Sequence, residues 1–419
     1  MADRKTLAAL VACAGAIAIV SLRVWTHLNV PGDPHAPRYA LQDFRDAVYY
    51  PVRAFVDGVN PYDQPRVAAA YPVADGLGLY PPLTLLMHAP LAFLPYRAAE
   101  LAYFAGEVVL TIALGCLALA LCGVRPTVAR VAGMGAALVA SRPGHWNLFN
   151  GQVTLQVLLP TLVALWYVRE RPLVSAVALA VAALKPTYGL PLAALLLARG
   201  GWRPVLLGGA LALALTLAAT VRLVAASDGV RPLVASIQAS YTARVGEPRK
   251  QPEHSPFRVD VVALVARLLG RTPGNAETMA LTLATLGVAA LGLRRLTRRE
   301  AQADAPGEPR GDGARAARVH AAGLAGLAIV ACCYHQQYDL PVLAVPLAAL
   351  VWCGDAWPWR QAPGLCRLAL MLVLVPLANY LASETAVGML GLSPSALLAA
   401  SSVDNVALLG LLGVYVALA

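Results

Sequence analysis

The chain has 419 residues, of which 58% are hydrophobic and only 13% are charged, and its formal net charge is +10. An ordinary soluble domain carries about 25% charged residues, so the composition excludes a soluble globular protein and indicates a protein of the lipid bilayer. The positive charge lies in short clusters between apolar runs. That pattern is typical of a membrane topology signal and argues against a nucleic-acid-binding patch.

The first apolar segment follows Arg4 and Lys5 and looks like a signal peptide, but many further apolar runs follow it. We therefore interpret it as an uncleaved signal anchor. A helix needs about 20 residues to cross the hydrocarbon core of a bilayer. On this basis we predict an all-α polytopic membrane protein in which residues 1–419 form one membrane domain. About twelve membrane segments are predicted, several of them short: 6–24, 100–122, 127–141, 152–168, 172–185, 187–199, 203–224, 277–296, 318–333, 339–354, 364–382 and 403–419.

Arginine marks the connections on one side of the predicted bundle. Cytoplasmic loops are enriched in Lys and Arg, so Arg4 and Lys5 predict a cytoplasmic N-terminus. Alternation from there predicts that both termini are cytoplasmic. The five arginine-bearing loops on that side are 122–130, 168–172, 198–203, 294–318 and 353–367. Residues 297–317 are charged and contain Gly and Pro, which predicts a flexible cytoplasmic linker.

The extracytoplasmic side then receives the long loops, which hold most of the His, Tyr and Asn residues. In the first of them, residues 80–95 are too short and proline-rich to cross the membrane, which favours a re-entrant or interfacial segment. In another, residues 257–270 predict an amphipathic helix on the outer surface. The outer loops are 27–99, 141–151, 225–276 and 383–402.

The first outer loop begins with a dense polar cluster, "LQDFRDAVYYP". Asp43 and Asp46 are three residues apart and share a face if the segment is helical. Two close carboxylates raise the pKa of one of them, which suits a proton acceptor. Arg45 and Arg53 can pair with these carboxylates or with a phosphate. The alternative, a solvated helix held by salt bridges, remains open.

Polar side chains also gather at the outer mouth of two predicted helices, in "SRPGHWNLFNGQV". Hydrogen-bonding groups beside an exposed Trp suit sugar hydroxyls or a lipid headgroup, and a simple polar cap is the alternative. The residues are Arg142, His145, Asn147, Asn150 and Gln152.

Two further polar positions are predicted on the same side. Lys185 precedes Pro186 at the tip of a short hairpin, where a lysine is costly unless it meets water or an anion. A phosphate is a natural partner, and a lysine that snorkels to the interface is the alternative. His335 and Asp339 lie near a helix start, where they can bind a ligand or merely cap the helix.

Metal and nucleotide motifs are absent from the sequence. It contains no HExxH, no DxD and no Gly-rich phosphate loop, so we expect neither a metal site nor a cofactor. The seven cysteines form no CxxC pair and are expected to be buried small hydrophobes.

A series of motifs in this order resembles glycosyltransferase family 87: "DF", "YY", "GVNPYD", "YPPL", "PLAFLP", "FNGQV" and "ALKPT". The resemblance implies a GT-C-like bundle that takes a sugar from a polyprenyl-phosphate donor on the outer face and inverts the anomeric centre. It implies that the catalytic aspartate is Asp43. The spacing from this aspartate to the tyrosine pair differs by two residues from the family pattern, so Asp46 remains a second candidate.

The resemblance also implies roles for the other polar residues and for the partners. The cations that would hold the donor phosphate are Lys185, Arg142 and Arg45. The acceptor would be a glycolipid or polysaccharide in the cell envelope, and the sugar would be mannose or arabinofuranose. The candidates for substrate binding are Tyr49, Tyr50, Asn60, Tyr62, Tyr80, His145, Asn147, Asn150, Gln152, Tyr188, His335 and Asp339.

Two other function classes remain open. A transporter or flippase of lipid-linked sugars would explain the membrane segments and the cations, but such proteins more often place paired ionisable groups at mid-bilayer. A non-catalytic partner in envelope assembly would explain the membrane segments alone. Transport without sugar transfer would favour the first, and activity that survives replacement of both aspartates would favour the second.

Overall fold

The computed structural model describes residues 3–28, 40–74, 77, 80–247, 250–303, 312–354 and 356–419. These residues form helices joined by short connections, and their only β-structure is one isolated antiparallel bridge between Arg258 and Gln336. The α-helices are α1 Arg4–Thr26, α2 Tyr50–Val56, α3 Gln64–Ala70, α4 Pro82–His88, α5 Tyr96–Leu121, α6 Val128–Ala140, α7 Arg142–Asn150, α8 Thr154–Tyr167, α9 Pro172–Ala182, α10 Pro186–Ala198, α11 Trp202–Ala226, α12 Val230–Val245, α13 Val261–Leu269, α14 Asn275–Ala303, α15 Asp312–Cys332, α16 Ala344–Trp352, α17 Pro363–Ala378, α18 Glu384–Met389 and α19 Pro394–Ala417.

Seven of the described helices are long and apolar enough to cross a membrane by length and composition. Six shorter apolar helical stretches accompany them. Each of the twelve predicted membrane segments coincides with one of these helices, which confirms the all-α polytopic fold class. The seven long segments are Arg4–Thr26, Tyr96–Leu121, Trp202–Ala226, Asn275–Ala303, Gly313–Cys332, Pro363–Ala382 and Pro394–Ala417.

The hairpin of α9 and α10 is too short to cross the bilayer. Its helices have 11 and 13 residues, and at about 1.5 Å per residue they are roughly 16–20 Å long. The hydrocarbon core is about 30 Å thick. The turn before Pro186 therefore ends inside the thickness spanned by the longer helices, and Lys185 is recessed within the bundle.

The arginine-bearing connections meet at one end of the bundle. Glu300 near the end of α14 accepts a hydrogen bond from Arg199 after α10 at 2.7 Å, and it also pairs with Arg318 of α15 at 2.7 Å. Arg318 pairs in addition with Glu170, which lies between α8 and α9. The Arg199 and Glu300 side chains are only 1% and 4% exposed. Three of the five predicted cytoplasmic connections are thus tied together by ion pairs, of which the pair of Arg199 and Glu300 is buried.

The other two connections reach the same end. The Cys353 thiol donates to the Cys122 carbonyl at 3.4 Å, and the Arg299 guanidinium lies 5.1 Å from the centre of the Trp357 ring. All five loops therefore lie together, as their shared arginine content predicts.

Three predicted loops contain more helix than expected. Residues 141–151 form α7, and 225–276 contain α12 as well as the predicted amphipathic helix, observed as α13. These helices are too short or too polar to stand out by hydropathy. The linker predicted over 297–317 is also shorter, because α14 continues to Ala303 and α15 begins at Asp312. Good helix formers precede Ala303, and residues 304–311 lie outside the described residues.

We predict that Glu300→Gln lowers the free energy of unfolding by about 3–5 kcal/mol, because it leaves the buried Arg199 without its carboxylate. Denaturant unfolding of the purified protein in detergent measures the change. Glu277→Gln is the control, since Glu277 pairs with Arg271 in solvent and its loss should have little effect. Equal stability of the two variants would show that the buried network contributes nothing.

Candidate functional site

Asp43 lies at the end of the bundle opposite the arginine-bearing loops and is partly exposed. It precedes a π-helix, Phe44–Tyr49. The Gln152 amide donates to Asp43 Oδ2, and the Tyr80 hydroxyl donates to Gln152 Oε1 at 3.4 Å. Gln152 thereby fixes the orientation of the Asp43 carboxylate.

The turn at Gly151 brings Gln152 to this position. Gly151 ends α7 with φ of 68°, a left-handed conformation that favours glycine. A Cβ atom there would lie 2.8 Å from the Cβ of Phe44, so the turn packs directly against the residue that follows Asp43.

Asp46 has a different environment, because it is buried in an ion pair. Arg45 Nε lies 2.7 Å from Asp46 Oδ1, and Arg45 Nη2 lies 3.1 Å from Asp46 Oδ2. Both residues are 1% exposed. This two-point pairing neutralises Asp46 and engages the guanidinium that the sequence analysis assigned to the donor phosphate.

A second polar group is centred on Asp339, which is fully buried. Its Oδ1 accepts hydrogen bonds from Lys185 at 2.6 Å and from Thr154 at 2.8 Å. Tyr188 also donates to this oxygen, at 3.3 Å, and Oδ2 contacts His335 Nδ1 at 2.8 Å. The carboxylate thus joins α8, α10 and the segment that follows α15, and we call these five residues the Asp339 cluster.

The Asp339 carboxylate is shared by two basic side chains, Lys185 and His335. Burial opposes the charged imidazole, but the adjacent Asp339 carboxylate and the Cys333 thiol raise the pKa of His335 to about 9. A hydrogen bond with Cys332 and the neighbouring His335 hold the pKa of the Cys333 thiol below its usual range. The group therefore pairs opposite charges, and its basic members are side chains of the kind that bind a phosphate.

A short β-bridge supports the loop that carries His335. Val259 N–H donates to the His335 carbonyl at 3.0 Å, next to the bridge between Arg258 and Gln336. Arg258 pairs with Asp260 at 2.8 Å, and the Asp260 side chain caps α13. The amphipathic helix α13 thus anchors the loop that carries His335.

Residues 152–154 connect the Asp339 cluster with Asp43. The Gln152 amide donates to Asp43 Oδ2, and the Thr154 hydroxyl donates to Asp339 Oδ1 at 2.8 Å. Tyr338 also borders the cluster, since Lys185 Nζ lies 4.9 Å from the centre of its ring. The Asp43 and Asp339 carboxylates therefore contact the same short segment, although they lie about 300 residues apart in the sequence.

The polar residues of α7 form a third group. Arg142 donates to the Ala382 carbonyl at 3.0 Å and stacks on Trp146 at 4.1 Å. His145 Nε2 lies 2.8 Å from Arg23 Nη1. Burial, reinforced by the charges of Arg23 and Arg142, lowers the pKa of His145 to about 4, so the ring is neutral. These contacts direct Arg142 towards the segment that follows α17.

Two further candidates of α7 differ in exposure. Asn147 is fully buried, and neither atom of its amide group has a hydrogen-bond partner among the described residues. Asn150 is partly exposed at the end of the helix.

The remaining sequence candidates hold the first loop in place. Tyr49 donates to the Leu94 carbonyl at 2.8 Å, and the Tyr50 ring stacks on Tyr96. Asn60 donates to Ser236 of α12 at 2.7 Å. Tyr62 donates to the Tyr80 carbonyl at 2.7 Å and thus positions Tyr80 beside Gln152.

Sequence reasoning missed several residues of this region. Thr154 and Tyr338 carry no signal of their own, because each is one ordinary residue at the end of an apolar run. Asp260 was missed because it lies in a segment that the sequence indicates only as an amphipathic helix. Asp404 could have been found, since an ionisable residue inside an apolar span marks a functional candidate; it accepts from Gln337 at 3.0 Å.

We predict that His335 makes the stability of the protein depend on alkaline pH. A pKa raised to about 9 from 6.5 gives stabilisation that is fully present below about pH 6.5 and is lost as the pH rises through about 9. The thermal unfolding midpoint should therefore fall over this interval by more in the natural protein than in His335→Gln. The same pH dependence in both proteins would contradict the charged pairing with Asp339.

Comparison with known proteins gives one match. No curated protein and no solved structure matches the chain significantly. The model of glycosyltransferase family 87 matches residues 79–307, a range that includes Gln152 and Lys185, while Asp43 precedes it and Asp339 follows it. Because the match covers more than half of the 419 residues, the chain belongs to glycosyltransferase family 87.

Proposed function

We propose that this glycosyltransferase moves a sugar from a polyprenyl-phosphate donor to a glycolipid or polysaccharide acceptor, with inversion at the anomeric carbon and Asp43 as the general base. The observation that carries the proposal is the pairing of two groups around one region. A partly exposed carboxylate accepts a hydrogen bond from Gln152, and the Asp339 cluster, with the basic residues Lys185 and His335, begins two residues later at Thr154. The transferred sugar would be a hexose or pentose, with mannose and arabinofuranose as the first candidates.

Two groups change their charge in such a reaction, the acceptor hydroxyl and the departing phosphate. Asp43 would contact the first and the Asp339 cluster the second. The acceptor hydroxyl oxygen attacks the anomeric carbon, and its proton passes to Asp43. The bond from that carbon to the phosphate oxygen breaks, and the lipid phosphate leaves with the electron pair. Hydrogen bonds from the basic side chains of Lys185 and His335 would favour the leaving phosphate. General-base help of this kind is typically worth about 10²–10⁴-fold in rate.

Asp43 is a better candidate for the base than Asp46. A base must be reached by the acceptor hydroxyl, and Asp46 is 1% exposed and paired with Arg45 at both oxygens. Asp43 is partly exposed, so an acceptor hydroxyl can reach it. Asp46 then serves to neutralise Arg45 and to hold the π-helix that begins after Asp43.

We further propose that the site faces the extracytoplasmic side of the plasma membrane and that both termini are cytoplasmic. Arginine-rich connections remain in the cytoplasm, and the five of them meet at the end of the bundle opposite Asp43. The recessed Lys185 would meet a phosphate just inside the outer boundary of the membrane.

We predict that Asp43→Asn reduces single-turnover sugar transfer by about 10²-fold or more while donor binding persists, because the amide keeps the shape of the side chain but accepts no proton. Asp46→Asn should retain measurable transfer. The experiment incubates each purified variant with a panel of polyprenyl-phosphate sugars and measures transfer and donor binding in parallel.

The matched pair of variants separates the mechanisms. If Asp46→Asn transfers no sugar and Asp43→Asn retains nearly normal transfer, the general base is Asp46. Transfer that survives in the double variant would reject a carboxylate base.

A further inference from the structure

Next to Asp43 lies a set of buried polar side chains that the proposed reaction does not use. Glu107 of α5 accepts a hydrogen bond from the Gln156 amide at 2.8 Å. His88 Nε2 donates to Gln156 Oε1 at 2.8 Å. Tyr103 lies one helical turn before Glu107 on the same face of α5. We call these four residues the α5 cluster.

The α5 cluster contains two buried oxygen atoms without partners. Glu107 Oε2 and Tyr103 Oη have no hydrogen-bond partner among the described residues, and the two residues are 1% and 6% exposed. Burial of an unsatisfied polar group costs roughly 1–3 kcal/mol, and native proteins seldom leave such groups unpaired. Two unpaired oxygens on one helix face indicate a ligand or a water that completes the set.

The α5 cluster is adjacent to the proposed base. The Tyr103 ring packs on that of Phe44, the residue after Asp43, with ring centres 4.4 Å apart, and the Tyr103 hydroxyl lies near the Gln156 amide. Gln156 is partly exposed and follows Gln152, which contacts Asp43, by four residues. The cluster therefore lies beside the segment that holds the proposed base.

We propose that the α5 cluster is the subsite for the hydroxyl groups of the transferred sugar, with Glu107 and Tyr103 as the residues that determine its specificity. This inference rests on the proposed function. The Glu107 carboxyl group accepts a hydrogen bond from one sugar hydroxyl, and the Tyr103 hydroxyl donates to a neighbouring one. The sugar is then bounded by Asp43 at the acceptor side, by the Asp339 cluster at the phosphate and by α5 along its hydroxyl edge.

A site built to hydrogen-bond a hydroxyl discriminates strongly against a substrate that lacks it. An ordered water in the same place would not, because it would satisfy the two oxygens whatever donor is bound. A sugar and a water bound at the α5 cluster thus predict different activities with deoxy sugar donors.

The test uses Tyr103→Phe and Glu107→Gln, which change a single polar group at nearly constant shape. The control is Tyr415→Phe, because the Tyr415 hydroxyl is also buried without a described partner but lies near the arginine-bearing end, where its ring stacks on that of His320. The purified variants are assayed with polyprenyl-phosphate mannose or arabinofuranose, whichever the natural protein turns over, and with each monodeoxy form of that donor.

For the complete sugar we expect kcat/KM to fall about 3–10-fold in Tyr103→Phe and on the order of 10–100-fold in Glu107→Gln. For the donor that lacks the hydroxyl bound by the altered residue, each variant should match the natural protein. Tyr415→Phe should behave normally with every donor, and the thermal unfolding midpoint of Tyr103→Phe should not fall.

Four other results would overturn the subsite. Losses that are the same for all deoxy donors, or unchanged activity in both variants, would assign the oxygens to water while Asp43-dependent transfer still stands. A loss in Tyr103→Phe accompanied by unfolding would make the hydroxyl structural. If no donor supports sugar transfer that depends on Asp43, the proposed function is wrong, and the proposed subsite is wrong with it.

Discussion

The buried Asp339 carboxylate is the interaction on which the rest of the site depends. Lys185 at the tip of a short hairpin and His335 after a long helix are both buried basic residues, and burial of a charged side chain is costly without a counter-charge. Asp339 supplies it with contacts of 2.6 and 2.8 Å. One carboxylate thus joins the start of α10 to the segment that follows α15.

The remaining architecture follows from the division of the bundle into two ends. One end is closed by the ion network of Arg199, Glu300 and Arg318, which joins connections that arginine already marks. The other end has short helices, a recessed hairpin and a left-handed turn at Gly151, so that polar side chains from distant segments reach one region.

Much of the fold was predictable from the sequence because the bilayer imposes strong constraints. Helices such as α5 and α11 are recognisable in the sequence by their length and hydropathy. The positions of the arginine residues predict which loops lie together on one side of the bundle. The polar helices α7 and α12 were missed because hydropathy carries no signal for a short helix that faces both solvent and protein. The same limit applies to the predicted linker, where good helix formers extend α14 beyond its apolar part.

The residues of the candidate site could be predicted from the sequence, but not which of them contact one another. Lys185, His335 and Asp339 were each expected on the outer side, yet their separation of about 150 residues hides the ion pair. The prediction that Lys185 meets an anion is consistent with what is observed, but its resident partner is Asp339. Glu107 was visible as a charged residue in an apolar span, whereas its neighbour Gln156 could be recognised only once α5 and α8 were packed together.

The stereochemistry of the product tests the central claim most directly. A single displacement assisted by one carboxylate base inverts the anomeric carbon, whereas a covalent sugar–enzyme intermediate retains its configuration. Nuclear magnetic resonance of the product formed by the purified protein from a polyprenyl-phosphate sugar of known configuration reports the outcome. We expect the new linkage to have the opposite anomeric configuration to the donor, and a retained configuration would contradict the account.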